Sequence, residues 1–232
     1  EGRARAALKN TISDISHQLK TPLAALNIYN GIIQTEAEAK ELSEVQEFSA
    51  LSEQELDRIE TLVQNLLKIA KFDAGTIAIE RKSENLAEMM ADVRKRFLFR
   101  ATQEGKEIAL AGSESLSFFC DRYWIVEAVG NIVKNALDHT DSGDVVRIIW
   151  GQSASVVHIT VQDNGKGICP EDLHHIFKRF YRSRYSKDTQ GIGLGLPLAK
   201  SVVEAHNGTI EVDSWLGEGT AFDLSFLIPT KM

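Results

Sequence analysis

Apolar or core-compatible residues recur at Leu8, Ile12, Ile15, Leu19, Pro22, Leu26, Tyr29 and Ile33, alternating three and four apart. That is the a/d seam of a heptad repeat, and it commits the first part of the chain to an amphipathic helix that needs a helical partner. On this seam His17 falls at f, the outermost position, so its imidazole is solvated rather than packed in a core. Pro22 cannot donate a backbone hydrogen bond to the carbonyl of Gln18 and is expected to bend the helix one turn beyond His17. A bend beside a solvated histidine suggests a docking site; the alternative is an ordinary surface histidine.

A second helix is expected from about Ser52 to Phe72, with Leu56, Ile59, Val63, Leu66 and Ala70 at the same spacing. Leu62, Leu67 and Ile69 widen its apolar stripe beyond what one partner helix covers, so a homodimer closing a four-helix bundle is the expected solution. The connection between the helices, with Glu36, Glu38, Glu41, Glu44 and Glu47, reads as solvated. Near Ala74-Gly75 the texture changes, which divides the chain into a helical hairpin (1–74) and a mixed domain (75–232). The latter reads as strands at Ile77–Glu80, Ile108–Leu110, Leu116–Cys120, Val145–Trp150 and Val156–Gln162, and helices at Leu86–Gln103 and Tyr123–His139. A short helix from Pro170, a helix at Leu196–His206 and a terminal hairpin, Thr209–Trp215 with Thr220–Ile228, follow. The fold class is α+β, the second domain being an α/β sandwich with helices on one face of a mixed sheet.

The formal charge of -7 over 232 residues argues against a nucleic-acid binder, which needs a basic surface. No apolar run approaches the ~18 residues of a membrane span, so no direct membrane contact is expected of this piece. Cys120 and Cys169 lack metal-ligand spacing and suggest a reducing, cytoplasmic compartment. The chain opens at Glu1 rather than Met, with the seam already in phase at Leu8; the expectation is a longer protein whose first helix continues upstream.

Five segments of the second domain carry chemistry. On one helix, Asn131 and Asn135 lie four apart and share a face, with Lys134 beside them. They are either polar residues at the edge of a packed face or hard oxygen ligands for a Mg²⁺ that bridges nucleotide phosphates. A strand then ends in Asp163-Asn164-Gly165-Lys166-Gly167. Asn-Gly is a turn signal, but a helix start follows rather than a returning strand, and a carboxylate there can accept a hydrogen bond from the exocyclic amine of adenine. Between Ile176 and Lys187 lie five basic residues and four aromatics. In an acidic chain they read better as a mobile lid over phosphates, its base anchored by Phe177 and Phe180, than as a nucleic-acid patch. Gly191, Gly193 and Gly195 open a helix, where backbone amides can approach phosphate oxygens; alone, the run is equally a hinge. Gly217-Glu218-Gly219-Thr220 reads as a plain hairpin turn or as a last phosphate-site glycine pair.

The stretch Ser16-His17-Gln18-Leu19-Lys20-Thr21-Pro22-Leu23 resembles the H box of two-component sensor histidine kinases. The five later segments resemble, in family order and spacing, its N box, G1 box, F box, G2 box and last glycine box. The resemblance implies that His17 is the phospho-acceptor and that Thr21 orients water when the kinase dephosphorylates its partner. It also implies that Asn135 ligates the metal, that Arg179 and Arg182 face phosphates, and that Asn131, Lys134, Asp163, Gly165, Gly167, Phe177, Phe180, Gly191, Gly193, Gly195 and Thr220 line the ATP site. Implied as well are ATP and Mg²⁺ as cofactors, a homodimer, a response-regulator receiver domain as partner, and a cytoplasmic portion of a membrane-anchored sensor. Gln18 departs from the pattern, since an acidic residue usually stands there and an amide cannot take the imidazole proton; Asp14 is the nearest carboxylate. Two other readings compete: an ATP-binding dimeric scaffold or phosphatase-biased protein, and an ATP hydrolase resembling gyrase, which uses a helix glutamate to activate water. Asp138 stands where the family more often has a basic residue.

Overall fold

A computed structural model describes residues 19–33, 42–183 and 191–228, and the chain divides into two compact units, 1–67 and 68–232. His17, Gln18 and Asp14 lie outside the described residues.

In the first unit, residues 19–33 form helix α1. The helix carries through Pro22, and the seam lies as expected: Pro22 and Leu26 are buried, and Leu19, Tyr29 and Ile33 half-buried. Helix α2 spans Leu42–Asp73, starting ten residues before the expected Ser52, so Glu44 and Glu47 belong to a helix rather than to the connection. Val45, Phe48 and Leu51 recur three apart in this stretch and are half-buried, so the inward face of α2 extends upstream into residues whose glutamates read as a solvated connection. Tyr29 meets Phe48 at 6.0 Å between ring centroids. Leu23, Ile28, Leu56, Val63 and Leu67 remain 40–60% exposed, far more apolar surface than a helix normally leaves in water.

The second unit takes in the last turns of α2, so the division falls inside that helix. Two strands, β1 (Lys82–Asn85) and β3 (Ser117–Cys120), pair antiparallel. The expected strand at Ile77–Glu80 does not form. Ile77 and Ile79 alternate inward, but the backbone amide of Glu80 is taken by Asp121 Oδ2 at 3.0 Å, and strand pairing begins only at Lys82. Helix α3, Leu86–Gln103, is capped by Asn85, whose side chain accepts from the Glu88 amide, and Asp121 caps α4, Arg122–Asp138, in the same way through Trp124.

The main sheet has β2 (Glu107–Gly112), β4 (Val145–Gln152), β5 (Val156–Asp163), β6 (Gly208–Trp215) and β7 (Gly219–Leu227) in the order β2-β4-β5-β7-β6. Only β2 and β4 run parallel. Along β5 the period-two pattern turns Val157, Ile159 and Val161 to one face, and register aligns them with Trp150, Ile148 and the β7 residues Phe226, Leu224 and Phe222. The apolar sides of α3, α4 and α6 (Gly195–Ala205) cover this face, while His158, Thr160, Gln162 and Asp223 alternate to the other. This is the expected one-faced α/β sandwich. Helix α5, Pro170–Leu173, is a single turn.

His206, at the end of α6, is only 7% exposed. Its Nδ1 faces the Val202 carbonyl at 2.9 Å, and its Nε2 accepts the Asp121 backbone N–H at 3.1 Å, an arrangement that suits the neutral ring. Burial lowers its pKa below the usual histidine value. A depressed histidine stabilises the fold above its unfolded pKa of about 6.5 and loses that contribution as pH falls through the folded value. Melting temperature should therefore drop as pH goes from about 7.5 to about 5, and His206→Gln should flatten that slope; a parallel slope in the variant would contradict this.

Candidate nucleotide site

Asp163 follows Val157, Ile159 and Val161 in the inward-facing set, so the strand delivers a carboxylate to the end of an apolar row, where it is 5% exposed. Its Oδ1 accepts the Gly165 amide at 2.9 Å and the Thr220 amide at 3.3 Å. Burial drives the carboxyl above its ordinary range, and the two amides only partly oppose this. The Thr220 hydroxyl meets Ser214 Oγ at 2.9 Å, and the same Oγ accepts the Ile168 amide at 2.8 Å. Ser214 thus ties the hairpin to the loop after β5. It drew no attention in the sequence, because a serine on an alternating edge strand carries no signal.

Three glycines around Asp163 are required by close approach. A Cβ on Gly165 would stand 2.5 Å from the His139 carbonyl. One on Gly167 (φ +69) would overlap the Trp215 carbonyl, and one on Gly219 (φ +111) would overlap the Asp163 carbonyl. Gly217 (φ +79), by contrast, has open space where a Cβ would stand; its amide donates to the Lys166 carbonyl at 2.9 Å, so only its backbone conformation calls for glycine. The last glycine pair therefore has two separate reasons.

The helix asparagines differ from one another. Asn131 donates Nδ2 to the Glu127 carbonyl at 2.9 Å, and its Oδ1 lies 3.0 Å from where a Cβ on Gly195 would stand, so it spaces α4 from the start of α6. Asn135 is half-buried, and no hydrogen bond engages its side chain among the described residues, which leaves its hard amide oxygen suited to Mg²⁺. Lys134, expected beside phosphates, pairs with Asp138 at 3.5 Å; Asp138 also binds Arg100 at 2.7 Å, so this unusual acid is neutralised from α3.

Glu127, one turn before Asn131, is bound by Lys68 at 2.7 Å and Arg96 at 3.1 Å. Burial works to raise its pKa, but hydrogen bonds and charge from those two cations outweigh it and hold the carboxyl below its usual range. A carboxylate so engaged is a poor base.

In the basic-aromatic segment, Phe177 meets Phe222 edge-on at 6.3 Å. Phe180 adopts a left-handed backbone (φ 61) and donates its amide to the Gly193 carbonyl at 2.9 Å. Gly193 (φ +72) lies so close that a Cβ would stand 2.7 Å from the Tyr181 carbonyl. The segment's base is thereby clamped to the glycine run, of which Gly191 and Gly195 are half-buried. Arg182 makes no ion pair among the described residues, whereas Arg179 is paired with Asp73 at 2.5 Å, a partner the sequence did not suggest. Thr21 is exposed on α1.

The cradle around Asp163 is closed by glycines of the loop after β5 and of the terminal hairpin. Residues 120–230 match the family of histidine kinase-, DNA gyrase B- and HSP90-like ATPases, and residues 7–75, which contain His17, match the His Kinase A (phospho-acceptor) domain. The chain is 30% identical over 226 residues to the sensor histidine kinase YvrG of Bacillus subtilis, covering 97% of this chain and 39% of that protein. It is 30% identical over 216 residues to the sensor protein SrrB of Staphylococcus aureus, covering 92% and 37%. Among solved structures it resembles full-length ShkA in complex with AMPPNP (TM-score 0.70, 26% identity, 79% of this chain and 38% of that one). The fold also matches the histidine kinase ThkA in complex with the response regulator TrrA (TM-score 0.75, 22% identity, 99% and 65%). The chain belongs to the sensor histidine kinases of two-component systems, and it spans less than two-fifths of the length of YvrG or SrrB.

Asp163→Asn retains an oxygen for the two backbone amides but sets an NH₂ against any amine donor. It is expected to weaken ATP binding about 10- to 100-fold and to narrow the preference for ATP over GTP. For the native carboxyl the raised pKa sets the sign: the acceptor is lost as pH falls through that value, at higher pH than for an ordinary aspartate. Titrating ATP and GTP into both proteins across pH checks this; an unchanged ATP-to-GTP ratio in the variant would refute it.

Proposed function

We propose that the chain is the catalytic core of a protein histidine kinase that phosphorylates its own His17 from ATP and passes the phosphoryl group to an aspartate on a response-regulator receiver domain. The observation that carries this reading is the Asp163 cradle in a chain that also contains a phospho-acceptor region. The relatives support it: ShkA was solved with AMPPNP and ThkA with a response regulator. The functional domains are read as 1–74 and 75–232. The apolar stripe left on α1 and α2 supports a homodimer. A cytoplasmic placement below a membrane anchor follows the analogy with sensor proteins; no described helix is long and apolar enough to cross a membrane.

Asp163 accepts the adenine amine, with Gly165, Gly167 and Thr220 shaping its surroundings. Asn131 holds the glycine-opened helix at its distance, and the amides at Gly191, Gly193 and Gly195 approach the phosphates. Phe177 and Phe180 anchor the segment from which Arg179 and Arg182 reach phosphate oxygens, and Lys134 adds charge nearby. Asn135 is the side chain that would hold Mg²⁺, which when bound neutralises phosphate charge. Phosphoryl transfer asks mainly for positioning and charge stabilisation, which these groups supply. The imidazole of His17 is the nucleophile, and Thr21 orients the water that attacks the partner's aspartyl phosphate and releases inorganic phosphate. Gln18 positions the ring without taking its proton, a task left to Asp14 or solvent. The doubly paired Glu127 disfavours the hydrolase reading. Gln18 favours, as a second reading, a phosphatase-biased or scaffold protein with weak kinase activity.

Incubating the protein with γ-labelled ATP separates these. Acid-labile, base-stable label on the chain, transferable to a receiver domain, supports the kinase; ATP binding without label supports the scaffold.

A further inference from the structure

Helix α2 ends on Asp73; the carbonyls of Ala70, Lys71 and Phe72 are taken by the amides of Ala74, Thr76 and Gly75, but the peptide dipoles still point their negative end here, so a carboxylate is electrostatically misplaced. What compensates it is Arg179, whose Nη2 lies 2.5 Å from Asp73 Oδ2. The end of the helix is held in place independently: Lys68 binds Glu127 on α4, and Phe72 meets Trp124 edge-on at 4.7 Å. Asp73 is thus presented on a braced helix end. Arg179 in turn directly precedes Phe180, whose amide is bonded to Gly193, so the guanidinium springs from a backbone clamped to the glycine run.

We propose that Asp73 is a positioning residue acting through Arg179: its carboxylate holds the guanidinium in competition with the terminal phosphate of the nucleotide and so tunes the balance between ATP and ADP. The inference rests on reading Arg179 as a phosphate contact. An arginine paired with a carboxylate carries little net charge and must give up that partner before it can serve an arriving phosphate. ATP, with one more phosphoryl group than ADP, meets the larger penalty. Both side chains are partly exposed, 34% for Arg179 and 49% for Asp73, so the pair is weak enough to exchange partners.

Asp73→Asn keeps an oxygen for Arg179 and removes the charge. In the full chain with Mg²⁺ it should tighten ATP binding about three- to fivefold and ADP binding less, the gain shrinking as salt is raised. In an Arg179→Gln background the same substitution should change neither affinity. Isothermal titration of ATP and ADP into the wild type, the two single variants and the double variant reads all of this. Equal or weaker ATP binding by Asp73→Asn, an equal gain for ADP, or a gain that persists without Arg179 overturns the inference while leaving the nucleotide site intact. Failure of the wild-type chain to bind either nucleotide overturns the parent reading and this one with it.

Discussion

Replacing His17 with alanine is expected to abolish covalent labelling from γ-labelled ATP while leaving ATP affinity unchanged. The imidazole is the one group proposed to form a bond to phosphorus, so its loss is not a matter of degree. The groups proposed to bind the nucleotide, from Asn131 to Thr220, all belong to the second compact unit, whereas His17 belongs to the first and is not among them. The other histidines make poor substitutes. His206 is buried as a helix-end partner, and His139 lends its backbone carbonyl to the Gly165 loop. Label retained on His17→Ala would refute the phospho-acceptor assignment, and lost ATP binding would refute the separation of roles.

Gly219→Ala is expected to damage both stability and the nucleotide site, and Gly217→Ala only stability. The two glycines stand in one turn with positive φ, yet a Cβ at 219 overlaps the Asp163 carbonyl and one at 217 meets nothing. Overpacking typically costs about 1–3 kcal/mol and a left-handed alanine about 1–2 kcal/mol. Gly219→Ala should therefore lose about 2–5 kcal/mol, the sum of both, and Gly217→Ala only the smaller part. Because the overlap pushes on the residue that carries the buried carboxylate, ATP affinity should fall in the first variant and persist in the second. Chemical denaturation and ATP titration of the pair decide it; equal behaviour would mean that the turn, and not the contact with β5, explains both glycines.

Much of the architecture was legible because it rests on local periodicity. The three-four seam in α1 and the runs that became β4, β5 and β7 are written in consecutive residues, and they placed these elements to within a few positions. The errors came where local signal is absent or contested. The first ten residues of α2 carry Val45, Phe48 and Leu51 inward, but the glutamates among them read as a solvated connection, and the Ile77–Ile79 alternation mimics a strand that pairs with nothing there among the described residues.

For the candidate site the division is similar. Asp163 was readable as a carboxylate at a strand end, and the period-two pattern that turns Val157, Ile159 and Val161 inward also turns Asp163 inward, which is why it is buried and its carboxyl raised. Residue type likewise pointed to Asn135 as a hard-oxygen donor and to the glycine run as a close approach. Partners separated by long stretches of chain were not readable. Folding places Asp73 against Arg179 and closes Lys68 and Arg96 on Glu127, and β7 carries Gly219 onto the end of β5. The sequence by itself determined which residue types recur at which local spacing, and hence the elements and the chemistry available. The tertiary structure alone decided which charges neutralise one another and which backbones touch, because those energies depend on distances that no local pattern encodes.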